Sequence, residues 1–132
     1  MKNLFIIFAL SFLLVACKEK DTITSVQPDY KEYVATISQS GTNAPTVNVI
    51  KNTFSSAIIW TRANDGYYLG GSLNTFTENK TIVTISSLAE PTQFITGGWS
   101  NINNVMIYTK NSSGQLEDGI LNNTPIEIRV YN

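Results

Sequence analysis

"AIIWTRANDGYYLGGSL", residues 57–73, is the stretch whose reading decides the fold. A run rich in β-branched and aromatic residues, Ala57 to Arg62, is followed by "ANDG" and then by a second such run, Tyr67 to Leu73. Asn64, Asp65 and Gly66 tolerate the positive φ angles of a tight turn that most residues resist, so the segment predicts a β-hairpin. The same pattern extends in both directions. Upstream, "EYVATISQS" (Glu32 to Ser40) alternates and stops at Gly41, Thr42 and Asn43, and "PTVNVIK" (Pro45 to Lys51) follows at hairpin distance. Downstream, "KTIVTISSL" (Lys80 to Leu88) ends ahead of Pro91, and "TQFITGGW" (Thr92 to Trp99) reads as a short strand broken by Gly97 and Gly98. "NVMIYTK" (Asn104 to Lys110) runs into the loop "NSSGQLEDGILNN", and "PIEIRVY" (Pro125 to Tyr131) closes the chain. In that last strand a period of two predicts Ile126, Ile128 and Val130 on the core face, with Glu127, Arg129 and Tyr131 outside.

Seven or eight short strands at about ten-residue spacing predict an all-β domain over residues 30–132. The expected architecture is an antiparallel β-sandwich of immunoglobulin-like or jelly-roll type, with a small β-barrel as the second possibility. Composition agrees. Charged residues make up 14% of the chain while Thr, Ser and Asn are abundant, a balance that favours strands and turns over surface helices. No stretch after Asp29 carries the 3.6-residue apolar period of a helix, and no internal repeat points to a solenoid or propeller. About 100 residues suffice for one core without disulfides, but not for two.

The amino terminus follows different rules. Met1, Lys2 and Asn3 precede "LFIIFALSFLLVA" (Leu4 to Ala16), an uncharged apolar run short of the ~20 residues that a membrane-spanning helix needs. A positive start, an apolar middle and a small residue at the end have the outline of a secretory signal. Its last four residues, Leu14, Val15, Ala16 and Cys17, resemble the lipobox of bacterial lipoproteins. The resemblance implies a diacylglyceryl group on the Cys17 thiol, cleavage between Ala16 and Cys17 that removes residues 1–16, and acylation of the new amine. Two or more acyl chains, at ~0.8 kcal/mol per buried methylene, make a lasting anchor where one does not. Residues 17–29, "CKEKDTITSVQPD", then read as the acylated cysteine and a flexible polar tether. The implied location is the outer membrane, with the domain facing either the surface or the periplasm. The charged run Lys18 to Asp21 resembles the signal that sends some Bacteroidetes lipoproteins to the cell surface.

The body of the chain carries a second resemblance, over about Tyr30 to Asn132. "YVATISQSGTNAPTVNVIKNTF", "IIWTRANDGYYLGG", "FTENKTIVTISS" and "TPIEIRVYN" are similar to a group of small β-domain proteins in Bacteroidetes genomes, phages and prophages. The group carries no catalytic motif to transfer, and it implies a structural or attachment role.

Chemistry-bearing motifs are sparse. The chain has no histidine and one cysteine, so Cys17 lacks both a disulfide partner and the base a nucleophilic thiol would use. Without Lys2 the nine basic residues become eight, against ten acidic ones, a formal charge of −2 and no basic stripe for nucleic acid. No metal or cofactor is expected: zinc ligands are missing, and the adjacent acids Glu117 and Asp118 read either as a calcium loop or as a plain polar turn. Asp65, Glu78, Glu90, Glu117 and Glu127 supply carboxylates, but nothing in the linear order pairs two of them across a cleft. "LGGS" at 69–72 lacks the lysine and helix of a phosphate loop. The aromatic set Trp60, Tyr67, Tyr68, Trp99, Tyr108 and Tyr131 holds the binding potential. The hairpin brings Trp60 near Tyr67 and Tyr68, which must point to opposite faces; one of them with Trp60 would form a platform for a sugar ring, with Asn64 and Asp65 bonding hydroxyls. The other reading places these rings in the core. The expected function is a non-catalytic, lipid-anchored adhesion, assembly or ligand-contact module. A carbohydrate-binding lipoprotein and a prophage-associated attachment protein are the alternatives, and the partners are the membrane and a glycan or protein ligand.

Overall fold

In the carboxyl-terminal strand Ile126, Ile128 and Val130 are buried while Glu127, Arg129 and Tyr131 turn outward, as period two requires. The computed structural model describes residues 29–86 and 93–132; the expected signal segment with Ala16, Cys17 and the expected tether up to residue 28 lie outside them, as does Glu90. Eight strands form: β1 (Tyr30–Ser38), β2 (Thr46–Asn52), β3 (Ile59–Asn64), β4 (Tyr67–Gly71), β5 (Thr81–Ile85), β6 (Phe94–Asn101), β7 (Asn104–Lys110) and β8 (Thr124–Tyr131). There is no helix among the described residues. Sheet 1 has the order β2-β1-β8-β5 and sheet 2 the order β3-β4-β7-β6, every pairing antiparallel.

The two sheets pack face to face as a β-sandwich, and the expected fold class holds. The barrel alternative does not: among the described residues no hydrogen-bonded strand pair joins an edge of one sheet to an edge of the other. Tyr33, Ala35 and Ile37 of β1 meet Trp60, Tyr68, Val105 and Ile107 of sheet 2 in one core. Phe54 and Phe76, from the β2–β3 and β4–β5 connections, close one end edge to face with ring centroids 6.2 Å apart. At the other end Ile120 and Leu121, in the β7–β8 loop, are buried.

Two local expectations are corrected. β6 is not broken by its glycine pair but runs through it, because Gly97 faces inward where β5 approaches. A methyl there would sit 2.7 Å from Val83 Cγ1 and 2.8 Å from Ile85 Cδ1, so the glycine is a packing requirement between the sheets. In the hairpin, Gly66 alone takes a left-handed φ, +56°. Asn64 and Asp65 do not, and the strands accommodate the turn by a register shift between Arg62 and Asn64.

Residue 29, where the described chain enters the sandwich, and residue 132 sit at the same end of it. Tyr30 pairs with Tyr131, and the Asn132 N–H donates to the Asp29 carbonyl at 3.2 Å. The β1–β2, β3–β4 and β7–β8 connections lie at the opposite end. Eight strand residues at ~3.3 Å each separate the two ends by roughly 25 Å.

Candidate functional site

The residues singled out for an aromatic platform fall on different surfaces. Trp60 is 5% exposed and Tyr68 0%, both on the inner face of sheet 2. Trp60 lies opposite Gly70, and a methyl at Gly70 would come within 2.9 Å of its ring atoms Cζ2 and Cη2. The absent side chain of Gly70 is therefore what lets the indole into the core. Its Nε1 is buried without a hydrogen-bond partner, as are Trp99 Nε1 and the hydroxyl of Tyr33. Burial raises the pKa of the Tyr33 phenol, which the neighbouring Trp60 indole partly offsets. Trp60 thus forms no surface platform with either tyrosine. Tyr67 points the other way, and its ring stacks on Tyr108 of β7 at 4.6 Å with planes 12° apart. That pair lies on the outside of sheet 2, and nothing near the hairpin in sequence announces Tyr108 as the ring partner of Tyr67.

Asn64 is exposed, and the Asp65 side chain is 80% exposed. Asp65 pairs with Arg62, which turns back along the hairpin and also donates from Nε to Asp118 Oδ2 at 2.8 Å. Asp118 Oδ1 accepts from the Gly66 N–H at 3.0 Å and from the Tyr68 hydroxyl at 2.8 Å. Burial pushes the Asp118 carboxyl up, but Arg62, the Gly66 N–H and Tyr68 together outweigh it and hold the group below its ordinary value. Burial, reinforced by the facing carboxylate, raises the phenol of Tyr68 well above its ordinary range, so it stays a neutral donor. Both Asp118 oxygens are filled by donors, which gives this acid a role in tying the β7–β8 loop to the hairpin. Its neighbour Glu117 meets the end of β7 through the backbone, its carbonyl accepting from the Thr109 hydroxyl at 2.5 Å.

Gln39 continues the network. Its Oε1 lies 3.1 Å from the Tyr68 hydroxyl and accepts from the Gly119 N–H at 2.6 Å, while Nε2 donates to the Gly41 and Asn43 carbonyls at 2.5 and 3.1 Å. One buried glutamine thereby closes the β1–β2 turn against the β7–β8 loop. Beside it lies a groove of about 480 Å³ lined by Ser38, Ser40, Asn43, Thr46 and Leu121. Its lining is neutral, and most of its polar side chains are short.

The outer faces of the sheets differ in kind. On sheet 1, Lys51 pairs with Glu32 across the β1–β2 ladder, and Arg129 Nε donates to Glu127 at 2.5 Å. The Arg129 guanidinium also lies over the Tyr30 ring at 4.9 Å, and Tyr30 packs on Tyr131 at 5.3 Å. On sheet 2 the register sets Tyr108 between Tyr67 and Thr96, and runs Thr61, Leu69, Met106 and Gly98 in order across the next rung. Ile59 and Phe94 flank these rungs at 65% and 57% exposure. Lys110, opposite Phe94 at the margin, is the one ionised side chain in these rungs among the described residues. Comparison with protein-family models, curated proteins and solved structures returns no match for the chain.

Proposed function

We propose that the chain is a lipid-anchored, non-catalytic protein of the bacterial outer membrane that acts as a ligand-contact module. In this reading residues 1–16 are removed, Cys17 carries the acyl groups, and residues 17–29 tether the sandwich to the bilayer. The observation that carries it is where residues 29 and 132 lie. Asp29 and Asn132 leave the sandwich together, opposite the end that holds the hairpin turn, the Gln39–Tyr68–Asp118 network and the groove. A tether entering at one end would direct these loops and the free length of both outer faces away from the membrane.

The non-catalytic part rests on the acids of the loop end. Asp65 and Asp118 meet at one guanidinium, and Asp118 is held ionised by three donors, an arrangement suited to holding loops and not to passing a proton. The test is metabolic labelling with a clickable fatty acid in cells making the full chain, alongside Cys17→Ser. The reading predicts a labelled wild type and an unlabelled variant that a carbonate wash releases from membranes. An unlabelled wild type, or a variant that stays bound, would overturn it.

A further inference from the structure

We infer that the outer face of sheet 2 is a binding face for a neutral saccharide, centred on the Tyr67–Tyr108 pair. The inference deepens the ligand-contact reading by naming a site and a ligand class, and it makes no use of the acyl anchor.

Three observations converge on this face. The first is the stacked pair itself: each ring covers one face of the other, and both side chains are only half-buried, on the two central strands of the sheet next to the β3–β4 turn. The C–H face of a pyranose packs on such a π-surface. The second is what surrounds the pair. Thr96 lies on the same rung, Thr61 on the next, and Asn104 beyond it, supplying hydroxyls and an amide for sugar hydroxyls. Lys110, one rung beyond Tyr108 on β7, is the one ionised side chain in the rungs of this face among the described residues, so the face suits a neutral ring and carries too little charge to neutralise a polyanion. Thr, Asn and Gly also interrupt the apolar surface that insertion among lipids would require.

The third observation is a glycine with no structural reason. Sheet 2 holds two glycine pairs, and three of these four positions have a neighbour that limits a side chain: Gly70 meets the Trp60 ring, Gly97 meets β5, and Gly71 meets Asn104 Oδ1 at 3.3 Å. At Gly98 a methyl would meet only Met106 Cε, at 3.8 Å, and its φ is not left-handed. The residue beside Met106, diagonal to Tyr108, therefore has room for a larger side chain, and as glycine it leaves a half-covered floor there.

The test is calorimetry on the full chain in a detergent that contains no sugar. The probes are neutral gluco-, manno-, xylo- and chito-oligosaccharides, with alginate oligosaccharides, single-stranded DNA and phosphatidylglycerol vesicles as counter-probes. The inference predicts that at least one neutral oligosaccharide binds, and that Tyr108→Ala and Gly98→Arg each weaken it by about tenfold or more. Gly98→Arg decides the matter if Tyr108→Ala disturbs the fold, because it adds bulk and charge outside the core. Binding by none of the neutral probes, binding only by a counter-probe, or undiminished binding in a folded Gly98→Arg would overturn it. A chain that proves to lack acyl groups leaves this experiment intact, so the two readings fail separately.

Discussion

On the outside of sheet 1 the side chains answer one another: Glu32 to Lys51, Glu127 to Arg129, Arg129 to the ring of Tyr30. On the outside of sheet 2 the central rungs are Tyr67 with Tyr108 and Leu69 with Met106, set among threonines and glycines. Both faces are built by the same alternation, so the difference lies in which residues were placed outward. A face whose charges are already paired offers a ligand little, because each new contact would first have to break an old one. On sheet 2 the contacts already made are neutral, the Thr61 hydroxyl donating to the Leu69 carbonyl at 3.4 Å and the Asn104 amide to Asn101 Oδ1 at 3.1 Å, so a ligand meeting this face would not first have to break an ion pair.

The comparison can be broken or sharpened by substitution, beginning with the largest expected effect. Gly66→Ala would force a side chain onto a φ of +56° and place its methyl 2.5 Å from Glu117 N and Thr109 O. A loss of about 3 kcal/mol or more in denaturant unfolding is expected, releasing the hairpin that carries Tyr67. The paired substitutions Gly97→Ala and Gly98→Ala come next. The inward glycine should cost about 1–3 kcal/mol and the outward one close to zero; equal costs would mean that Gly98 has a structural duty and the half-covered floor is incidental.

Asp118→Asn should lower stability by about 2 kcal/mol at pH 7, since it removes charge-assisted hydrogen bonds from Arg62 and Tyr68. The folded-state pKa of Asp118 lies below its unfolded value of about 3.9, so the stabilisation is fully present above that pH and is lost as pH falls through the folded pKa. Melting curves from pH 7 downward should therefore converge for wild type and Asp118→Asn in the acid range. A gap that persists there would place the effect in shape and not in charge.

The smallest effects separate the faces themselves. Tyr108→Ala should lower the melting temperature by about 4 °C, equally at low and high salt, because the Tyr67 stack is not ionic. Arg129→Ala on sheet 1 should shift it by less than about 3 °C, and by less still in high salt. A salt-sensitive Tyr108→Ala, or a salt-insensitive Arg129→Ala, would contradict the assignment of the first contact to ring packing and the second to charge.

The strands were legible in the sequence because their signals are local. Alternation in "PIEIRVY" and the turn residues of "ANDG" act within a few positions, and the eight strands fall close to where those patterns lie. What stayed illegible depends on partners far along the chain. Trp60 is drawn inward by the missing side chain of Gly70, which requires the β3–β4 register to see. Gly97 read as a break because Val83 and Ile85, on the other sheet, were not yet beside it. Tyr67 has its ring partner 41 positions away in Tyr108, and Asp118 read as a loop acid until Arg62, 56 positions back, was placed against it. The assignment of each ring to core or surface thus had to come from sheet register.

The central claim is that ligand contact belongs to the outer face of sheet 2, and amide chemical-shift mapping on the isotope-labelled full chain tests it most directly. Titration with the neutral oligosaccharides should move resonances of Tyr67, Leu69, Thr96, Gly98 and Tyr108 while those of Glu127 and Arg129 stay in place. Shifts confined to sheet 1 or to the groove beside Gln39, or no shifts at all, would contradict the account.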